Sequence, residues 1–477
     1  MAMRMERREF LRAAAAGSAL CLGAPRFLTA AAEPKKRALV SPGCRGSKVR
    51  VAKFYMVGTN KLWPTPKMDQ KEEMQRYEAE FDRMKKDLAD VDFVCSQLVA
   101  SPEEIKSLKD KLADVDGILV IHLSMGATPI LMEILSAGKP TVVFAAPYSG
   151  HEWTGFGSLQ AKKEGALLDC MLTSDRNQLA VAIRPFRAIH HMREAKILNV
   201  TSRALNDGYV TAIKDKFGTE IKRIDRQQVL DAYNSIPDAE AKAETKRWMR
   251  GATKIVEPKE DEIFRSCKLA LAFQKIVDAE NGTAFTVDCY GTMYRQLPAF
   301  PCVGLTRLDD QGLSGVCESD LNCSVTAVLL QSLSGKPAFV SDPTVDESKK
   351  GIILAHCRCA TKMDGPDGEA APYKLRTIME RQEGCVSQVK MRVGQKVTQV
   401  IMPGTDQLLY FTGEVIEVPD VDRGCRTKIN VKVDGDIEKL WHNWSHGLHR
   451  QTVYGDVVKD LERFCKFKTI KMANEAA

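Results

Sequence analysis

The stretch CVGLTRLDDQGLSGVCESDLNCSVTAVLLQSLSGKPAFVSDPTVDESKKGIILAHC, residues 302–357, combines one helical pattern with short apolar runs on either side of it. Apolar residues recur at helical spacing over residues 321–334, and the Gly-Lys-Pro that follows is typical of a helix end. The apolar runs at 315–317 and 338–340 predict strands. A helix that joins two strands of one sheet predicts a right-handed crossover and a parallel pair.

Ionisable side chains follow these predicted strands. Glu318 follows the first strand and Asp342 the second, so we expect both carboxylates at the carboxyl edge of one sheet, where open α/β sheets bind ligands. A third apolar run ends in His356. Carboxylates with one or two imidazoles suit Mn²⁺ or Mg²⁺ better than structural zinc. A single acid after a strand is more often a helix cap or a solvated loop residue, so the prediction depends on the three residues together.

Residues 1–33 have the pattern of a twin-arginine export signal. Arg7-Arg8 precedes a short alanine-rich apolar run, and Ala30–Ala32 supplies small residues for cleavage. The run is too short for a permanent membrane span, and a basic amphipathic arm is the alternative interpretation. The sequence therefore predicts an exported protein, periplasmic or extracellular, that meets the membrane only through its signal.

Composition limits the remaining classes of function. The chain has 477 residues and a formal net charge of +7, but Lys and Arg alternate with Asp and Glu along predicted helices, as on a solvated face. No basic tract with interleaved aromatic residues is present, so we expect no nucleic-acid partner. The 14 cysteines include no CxxC pair, which argues against a disulfide framework or a zinc ribbon.

The hydrophobic periodicity divides the mature chain into three predicted domains. In residues 48–170 and again in 171–355, apolar runs alternate with helical patterns, which predicts two α/β domains with parallel sheets. The second of these domains carries the two acids. Over residues 356–477 the period changes to two, with glycines near the turns, which predicts an antiparallel sheet or small β-barrel.

Histidines in the C-terminal segment are candidates for the missing nitrogen ligand. His442, His446 and His449 lie close together in the sequence, and surface or stacking roles are the alternative for each of them. A further pair, His190-His191, lies at the junction of the two predicted α/β domains, where a linker role is expected because adjacent residues cannot both face one way on a helix.

Several of these segments resemble the fucose/arabinose isomerase superfamily, specifically the fucose isomerase-like proteins. The resemblance is carried by Cys317-Glu318-Ser319-Asp320, Asp342, His356-Cys357, Gly424-Cys425-Arg426-Thr427 and the segment His449 to Asp456. It covers about residues 48–470, and it is strongest from Pro301 onward. It implies two Rossmann-like domains followed by a β-barrel domain, in a homo-oligomer such as a trimer or hexamer.

The resemblance also implies a Mn²⁺ site. Glu318, Asp342 and one C-terminal histidine match the family's metal ligands, and Mg²⁺ or another divalent ion is an alternative. Register with the final helix favours His449, whereas the His446-Gly447 pair has the fucose isomerase form, so both stay open. His356 matches a further histidine of the arabinose isomerases.

The activity that the resemblance implies is the interconversion of an aldose and a ketose through an ene-diol, with a small sugar as substrate. Glu318 and Asp342 would bind the metal and also act as general base and acid. Two other interpretations remain at this point. One is a secreted sugar-binding protein of the same fold without catalysis, and the other is a different metal-dependent sugar enzyme, such as an epimerase or lyase.

Overall fold

The first domain contains a five-stranded parallel sheet in the computed structural model, which describes residues 39–60 and 62–477. Its strands are β1 (Val49–Val57), β2 (Val91–Val99), β3 (Gly117–Ser124), β4 (Thr141–Ala145) and β5 (Leu168–Leu172). Their order, β2-β1-β3-β4-β5, is that of flavodoxin-like sheets. All of β3 and β4 is buried, as expected for strands covered by helices on both faces. The predicted signal, residues 1–33, lies outside the described residues.

Helices surround this sheet, and the first two of them begin at capping side chains. They are α1 (Gln70–Arg83), α2 (Pro102–Lys106), α3 (Lys109–Ala113), α4 (Thr128–Ser136), α5 (Phe156–Gln160) and α6 (Gln178–Val181). The hydroxyl of Ser101 accepts a hydrogen bond from the Glu104 backbone N–H at the start of α2, with Pro102 in the first turn. Short 3₁₀ helices occupy Glu152–Gly155 and Lys163–Gly165.

The second domain contains a four-stranded parallel sheet, ordered β10-β9-β6-β7. The strands of this region are β6 (Lys196–Val200), β7 (Glu220–Ile224), β8 (Lys254–Ile255), β9 (Ala284–Val287) and β10 (Ser314–Cys317), of which β8 joins a separate small sheet. The helices are α7 (Arg184–Glu194), α8 (Asp207–Phe217), α9 (Arg226–Asn234), α10 (Asp238–Gly251), α11 (Glu260–Glu280), α12 (Cys302–Asp310) and α13 (Leu321–Ser334).

The C-terminal part is a closed antiparallel barrel. Its segments are β11 (Phe339–Asp346), a 3₁₀ turn (Glu347–Lys349), β12 (Gly351–His356), β13 (Tyr373–Arg376), β14 (Val386–Val389), β15 (Lys396–Ile401), β16 (Gln407–Glu417), β17 (Thr427–Val433), α14 (Ile437–Asn443), β18 (Arg450–Tyr454), α15 (Val458–Lys468) and β19 (Lys471–Asn474). The six barrel strands run in the order β15-β18-β11-β12-β17-β16, and β15 pairs with β16 to close the ring. Strand β19 adds to β16 in parallel, while β14, β13 and β8 form the small sheet.

The chain therefore has two parallel-sheet α/β domains followed by an antiparallel β-barrel, the fold class expected from the sequence. One apolar cluster joins the second domain to the barrel, because α13 and α7 pack together and α13 also contacts β15 and β18. Every residue of α13 from Cys323 to Leu333 is buried. This burial explains why the helix carries apolar residues on more than one face.

One prediction about this region is wrong. Strands β10 and β11 do not form a parallel pair, because β10 pairs with β9 in the second α/β sheet, whereas β11 pairs antiparallel with β12 and β18 in the barrel. Helix α13 therefore carries the chain from one sheet to another. The crossover rule holds only for strands of the same sheet. The domain boundaries at residues 170 and 355 stay predictions, but the barrel sheet already begins at Phe339.

The linker role expected for His190-His191 is also wrong. Both histidines lie within α7 and are buried, on neighbouring parts of the helix surface that are both covered by other segments. Among the described helices, none combines the length and apolar character needed to cross a membrane.

Candidate metal and substrate site

Glu318 lies in a strained turn between β10 and α13. Its φ is 64° and that of Ser319 is 54°, so two successive residues with side chains adopt the left-handed conformation. Such a conformation costs on the order of 1 kcal/mol or more per residue and persists only where the surroundings impose it. Here the Ser319 hydroxyl donates to Asn199 Oδ1 at 2.6 Å, and Asp320 caps α13 by accepting from the Cys323 N–H at 2.8 Å. These contacts hold the turn that places Glu318 at the carboxyl edge of the sheet.

The barrel brings the other candidate residues to the same place. Strand β11 lies between β12 and β18, and in its register Asp342 is opposite Ala355, the residue before His356. On the other side Ser341 pairs with Arg450, so His449, one residue earlier, comes next to Asp342. Strand pairing between segments distant in the sequence therefore assembles the site.

The distances define a tight group of four side chains. His449 Nε2 lies 3.2 Å from Asp342 Oδ1 and 3.8 Å from Glu318 Oε2. His356 Nε2 lies 3.6 Å from Glu318 Oε1, and the two imidazole rings meet nearly edge to face with centroids 5.4 Å apart. The structure thus brings together four of the five residues predicted for the site.

His446 is the predicted residue that the structure does not bring to this group. It is exposed, and none of the groups of possible ligand atoms within 4.8 Å of one another in the described part of the chain includes it. The group at this site contains Glu318, His356 and His449. His446 instead influences the buried Glu475. Burial raises the pKa of Glu475, and Arg450 and His446 offset part of that rise. Of the two tail histidines that the sequence left open, His449 is the one next to the acids.

Several ligand atoms in this group are buried but not hydrogen-bonded. Within the described part of the chain, no hydrogen-bond partner is found for Asp342 Oδ1, for either ring nitrogen of His356, or for His449 Nε2. A buried polar atom without a partner is unfavourable by about 1–3 kcal/mol. The open atoms are one carboxylate oxygen and three imidazole nitrogens. Together with the neighbouring Glu318 carboxylate they form a donor set that fits a divalent ion such as Mn²⁺.

The charges of the group are strongly interdependent. Burial raises the pKa of Glu318, but the contact with His356 and the charge of His449 outweigh it, so that the pKa lies below its usual value. Burial raises the pKa of Asp342, and the same two histidines offset this only in part. Burial lowers the pKa of His449, but the bond to Asp320 reverses the shift and leaves it raised.

Asp320 has a second role that sequence reasoning missed. Its Oδ2 lies 3.1 Å from His449 Nδ1, while its Oδ1 caps α13. A carboxylate that accepts from Nδ1–H fixes the tautomer and turns Nε2 toward the ligand side, as around metal-bound histidines generally. The available signal was an acid two positions after Glu318, which the sequence explains equally well as a helix cap.

The chain is similar to curated proteins named sulfoquinovose isomerase. It is 20% identical over 392 residues to the one from Priestia megaterium, covering 76% of this chain and 87% of the relative. It is 22% identical over 269 residues to the one from Alkalicoccus urumqiensis, covering 52% of this chain and 57% of that relative. It is 22% identical over 299 residues to the one from a Clostridium species, covering 58% of this chain and 64% of that relative. No family model matches the chain.

Proposed function

We propose that this protein is a sugar isomerase that interconverts an aldose and a ketose at the site formed by Glu318, Asp342, His356 and His449. The observation that carries the proposal is the convergence of these side chains from two domains, with ligand atoms left open in a buried setting. The similarity to proteins named sulfoquinovose isomerase, over most of the length of the first relatives, supports the same class of reaction.

The site would hold one divalent ion, and we propose Mn²⁺. Glu318 and Asp342 would supply oxygen ligands, and His449 Nε2 and His356 would supply nitrogen. When bound, such an ion acts as a Lewis acid that withdraws electron density from the sugar oxygens beside it. Asp320 would keep the His449 ring in its binding orientation through the 3.1 Å contact to Nδ1.

The reaction itself requires only the movement of protons. A proton leaves C2 of the open-chain aldose, the ene-diol forms, and a proton returns at C1 while the hydroxyl protons rearrange, so that no oxidant or reductant is consumed. Glu318 and Asp342 are the two carboxylates placed to take and return that proton, because both line the open side of the group and are about one-third exposed. The two buried imidazoles balance their negative charge.

We further propose, from the sequence, that the mature protein works outside the cytoplasm and as a homo-oligomer, a trimer or hexamer. The export proposal depends on residues 1–33. It is tested by expressing the full chain with Arg7-Arg8 replaced by Lys-Lys and measuring whether the protein still leaves the cytoplasm. The oligomer is tested by light scattering on the mature chain.

The proposed activity is tested with the purified chain, loaded with Mn²⁺ and incubated with a panel of aldoses that includes sulfoquinovose. Proton NMR in D₂O should show a ketose and the incorporation of deuterium at C1 or C2. Formation of an epimer or an elimination product would show that the protein is a sugar enzyme of another kind. The absence of any product from every aldose would refute the proposed activity.

A further inference from the structure

Arg381 is an exposed arginine whose guanidinium lies over two tyrosine rings. It is 4.8 Å from the ring centroid of Tyr294 and 5.5 Å from that of Tyr290. The two rings are nearly parallel, at 10°, with centroids 6.4 Å apart. Across residues 39–60 and 62–477, no carboxylate lies within ion-pair distance of Arg381.

This arginine lies at the rim of the candidate site. Tyr290 follows β9 at the carboxyl edge of the second sheet, next to β10 and Glu318, and the backbone N–H of Ser319 donates to Val287 at the end of β9. The Tyr290 hydroxyl donates to Glu380, the residue before Arg381, at 3.3 Å. The two tyrosines therefore connect Arg381 to the sheet edge that carries Glu318.

A second set of contacts ties the same loop to the barrel side of the site. Cys425 Sγ donates to Glu380 Oε1 at 3.3 Å, and these two groups lie within 4.8 Å of the sulfur of Cys357. Cys357 directly follows His356 in the chain. The loop that carries Arg381 thus borders the site on the His356 side as well.

Other arginines near this edge are already neutralised. Arg203 Nε lies 3.1 Å from Asp288, Arg295 Nη2 lies 3.1 Å from Glu383, and the buried Arg358 pairs with Asp309. Arg295 offers the closest comparison, because its guanidinium lies 5.3 Å from the same Tyr294 ring. The two arginines lie over the same Tyr294 ring, but Arg295 is paired with Glu383, whereas Arg381 has no carboxylate partner within residues 39–60 and 62–477.

The stacked arrangement favours the recognition of an anion. A guanidinium that lies with its face on an aromatic ring keeps its N–H groups free at the edge, and it is more weakly hydrated than an ammonium group. The planar fork of N–H donors matches two oxygens of a sulfonate or phosphate. Because the tyrosines already hold the side chain, less rotamer freedom is lost when an anion binds.

We propose that Arg381 binds an anionic group of the substrate, so that the substrate is an aldose carrying a sulfonate or a phosphate on a carbon remote from the aldehyde. This inference rests on the proposed function, and it adds the substrate class and the residue that selects it.

The test is titration calorimetry on the full mature chain loaded with Mn²⁺, with sulfoquinovose, glucose 6-phosphate and glucose as probes. We expect sulfoquinovose or glucose 6-phosphate to bind more tightly than glucose. Arg381→Ala should weaken the anionic sugar about 10- to 100-fold and leave glucose unchanged, as expected for the loss of charge-assisted hydrogen bonds. Arg381→Lys keeps the charge but loses the fork, so its effect should be intermediate.

Arg295→Ala is the matched control, because it removes a cation from the same tyrosine ring that is already paired with Glu383. It should bind all three sugars like the unmodified chain. Comparing the two anionic sugars identifies which group is the natural one. The inference is overturned if the unmodified chain binds neither anionic sugar better than glucose, or if Arg381→Ala and Arg381→Lys both bind them normally. Anion binding that depends on Arg381 without ketose formation would refute the proposed activity alone.

Discussion

Two buried histidine sites of this chain, one at His190 and one at His356 and His449, use their ring nitrogens in opposite ways. His190 Nδ1 donates to Asp116 Oδ2 at 2.8 Å and Nε2 donates to the Ser47 carbonyl at 3.0 Å. Burial lowers the pKa of His190, but Asp116, Cys44 and Glu194 outweigh it and raise the pKa to about 10. In the second site, both nitrogens of His356 and Nε2 of His449 have no hydrogen-bond partner among the described residues.

The difference shows that residue type alone does not define a ligand site. Both sites combine buried imidazoles with carboxylates, and Glu194 lies 3.4 Å from His190 much as Glu318 lies 3.6 Å from His356. At His190 the chain itself satisfies each polar atom, so the group clamps α7 to the first domain. At His356 and His449, three ring nitrogens beside a partially exposed pair of acids have no hydrogen-bond partner among the described residues, and the proposed ion or substrate would satisfy them.

The sharpest test of this contrast replaces one glutamate in each site. Glu318→Gln should lower turnover about a thousandfold or more, because an amide cannot carry the proton, while the unfolding temperature of the metal-free chain stays unchanged. Glu194→Gln makes the same change in the closed site and should leave turnover intact. Rates come from ketose formation measured by NMR. Full activity of Glu318→Gln would remove Glu318 from the mechanism.

A second test compares the histidines as metal ligands. His449→Gln should weaken Mn²⁺ binding about a hundredfold, since it removes a nitrogen ligand and frees Asp320 from its partner. The rise in unfolding temperature on adding Mn²⁺ should fall accordingly. His190→Gln should keep the Mn²⁺ response of the unmodified chain. Equal Mn²⁺ affinity of His449→Gln and the unmodified chain would show that this histidine is not a ligand.

A smaller effect is expected for Asp320→Asn. The amide oxygen still accepts from the Cys323 N–H, so the cap of α13 and the stability should be retained. The charge that holds His449 Nδ1–H is lost, which should weaken Mn²⁺ binding about tenfold. Calorimetric Mn²⁺ titration and thermal unfolding of the same sample separate the two roles. A large loss of stability with unchanged Mn²⁺ affinity would leave Asp320 with the capping role alone.

The smallest effect concerns the closed site and depends on pH. Because folding raises the pKa of His190 to about 10 from 6.5, its protonated form stabilises the fold fully below pH 6.5, and this contribution disappears as the pH rises through 10. His190→Gln should therefore lower the unfolding temperature by about 2 °C or more at pH 6, and by less at pH 10. An equal loss at both values would mean that packing, and not the charge, accounts for the effect.

Local features of the second domain were predictable from sequence. Helix α13 begins after Asp320, which caps it, and it ends at Gly335 with φ 71°, where the Gly-Lys-Pro sequence predicted a helix end. The change to a two-residue period correctly predicted the barrel. These signals depend on neighbours within a few positions, which is why they can be recognised without knowledge of the rest of the chain.

The path of the chain after α13 was not predictable in the same way. The run from Phe339 to Val340 fits a buried strand in either sheet, and only its pairing with β18, more than a hundred residues later, assigns it to the barrel. The same pairing brings His449, and not His446, beside Asp342. Sheet membership depends on partners that are remote in sequence, and periodicity does not report them.

The sequence by itself determined the fold class, the helix that precedes the barrel and the residue types of the candidate site, because caps, turns and hydrophobic periods are properties of short segments. Only the tertiary structure decided which histidine meets the acids and that Asp320 holds it. It also decided that Arg381, at the rim of the site, has no carboxylate partner among the described residues. A buried ring nitrogen is hydrogen-bonded only where other segments of the fold bring a polar group next to it. At His190 the fold supplies Asp116 and Ser47, and at His356 it supplies no hydrogen-bond partner among the described residues.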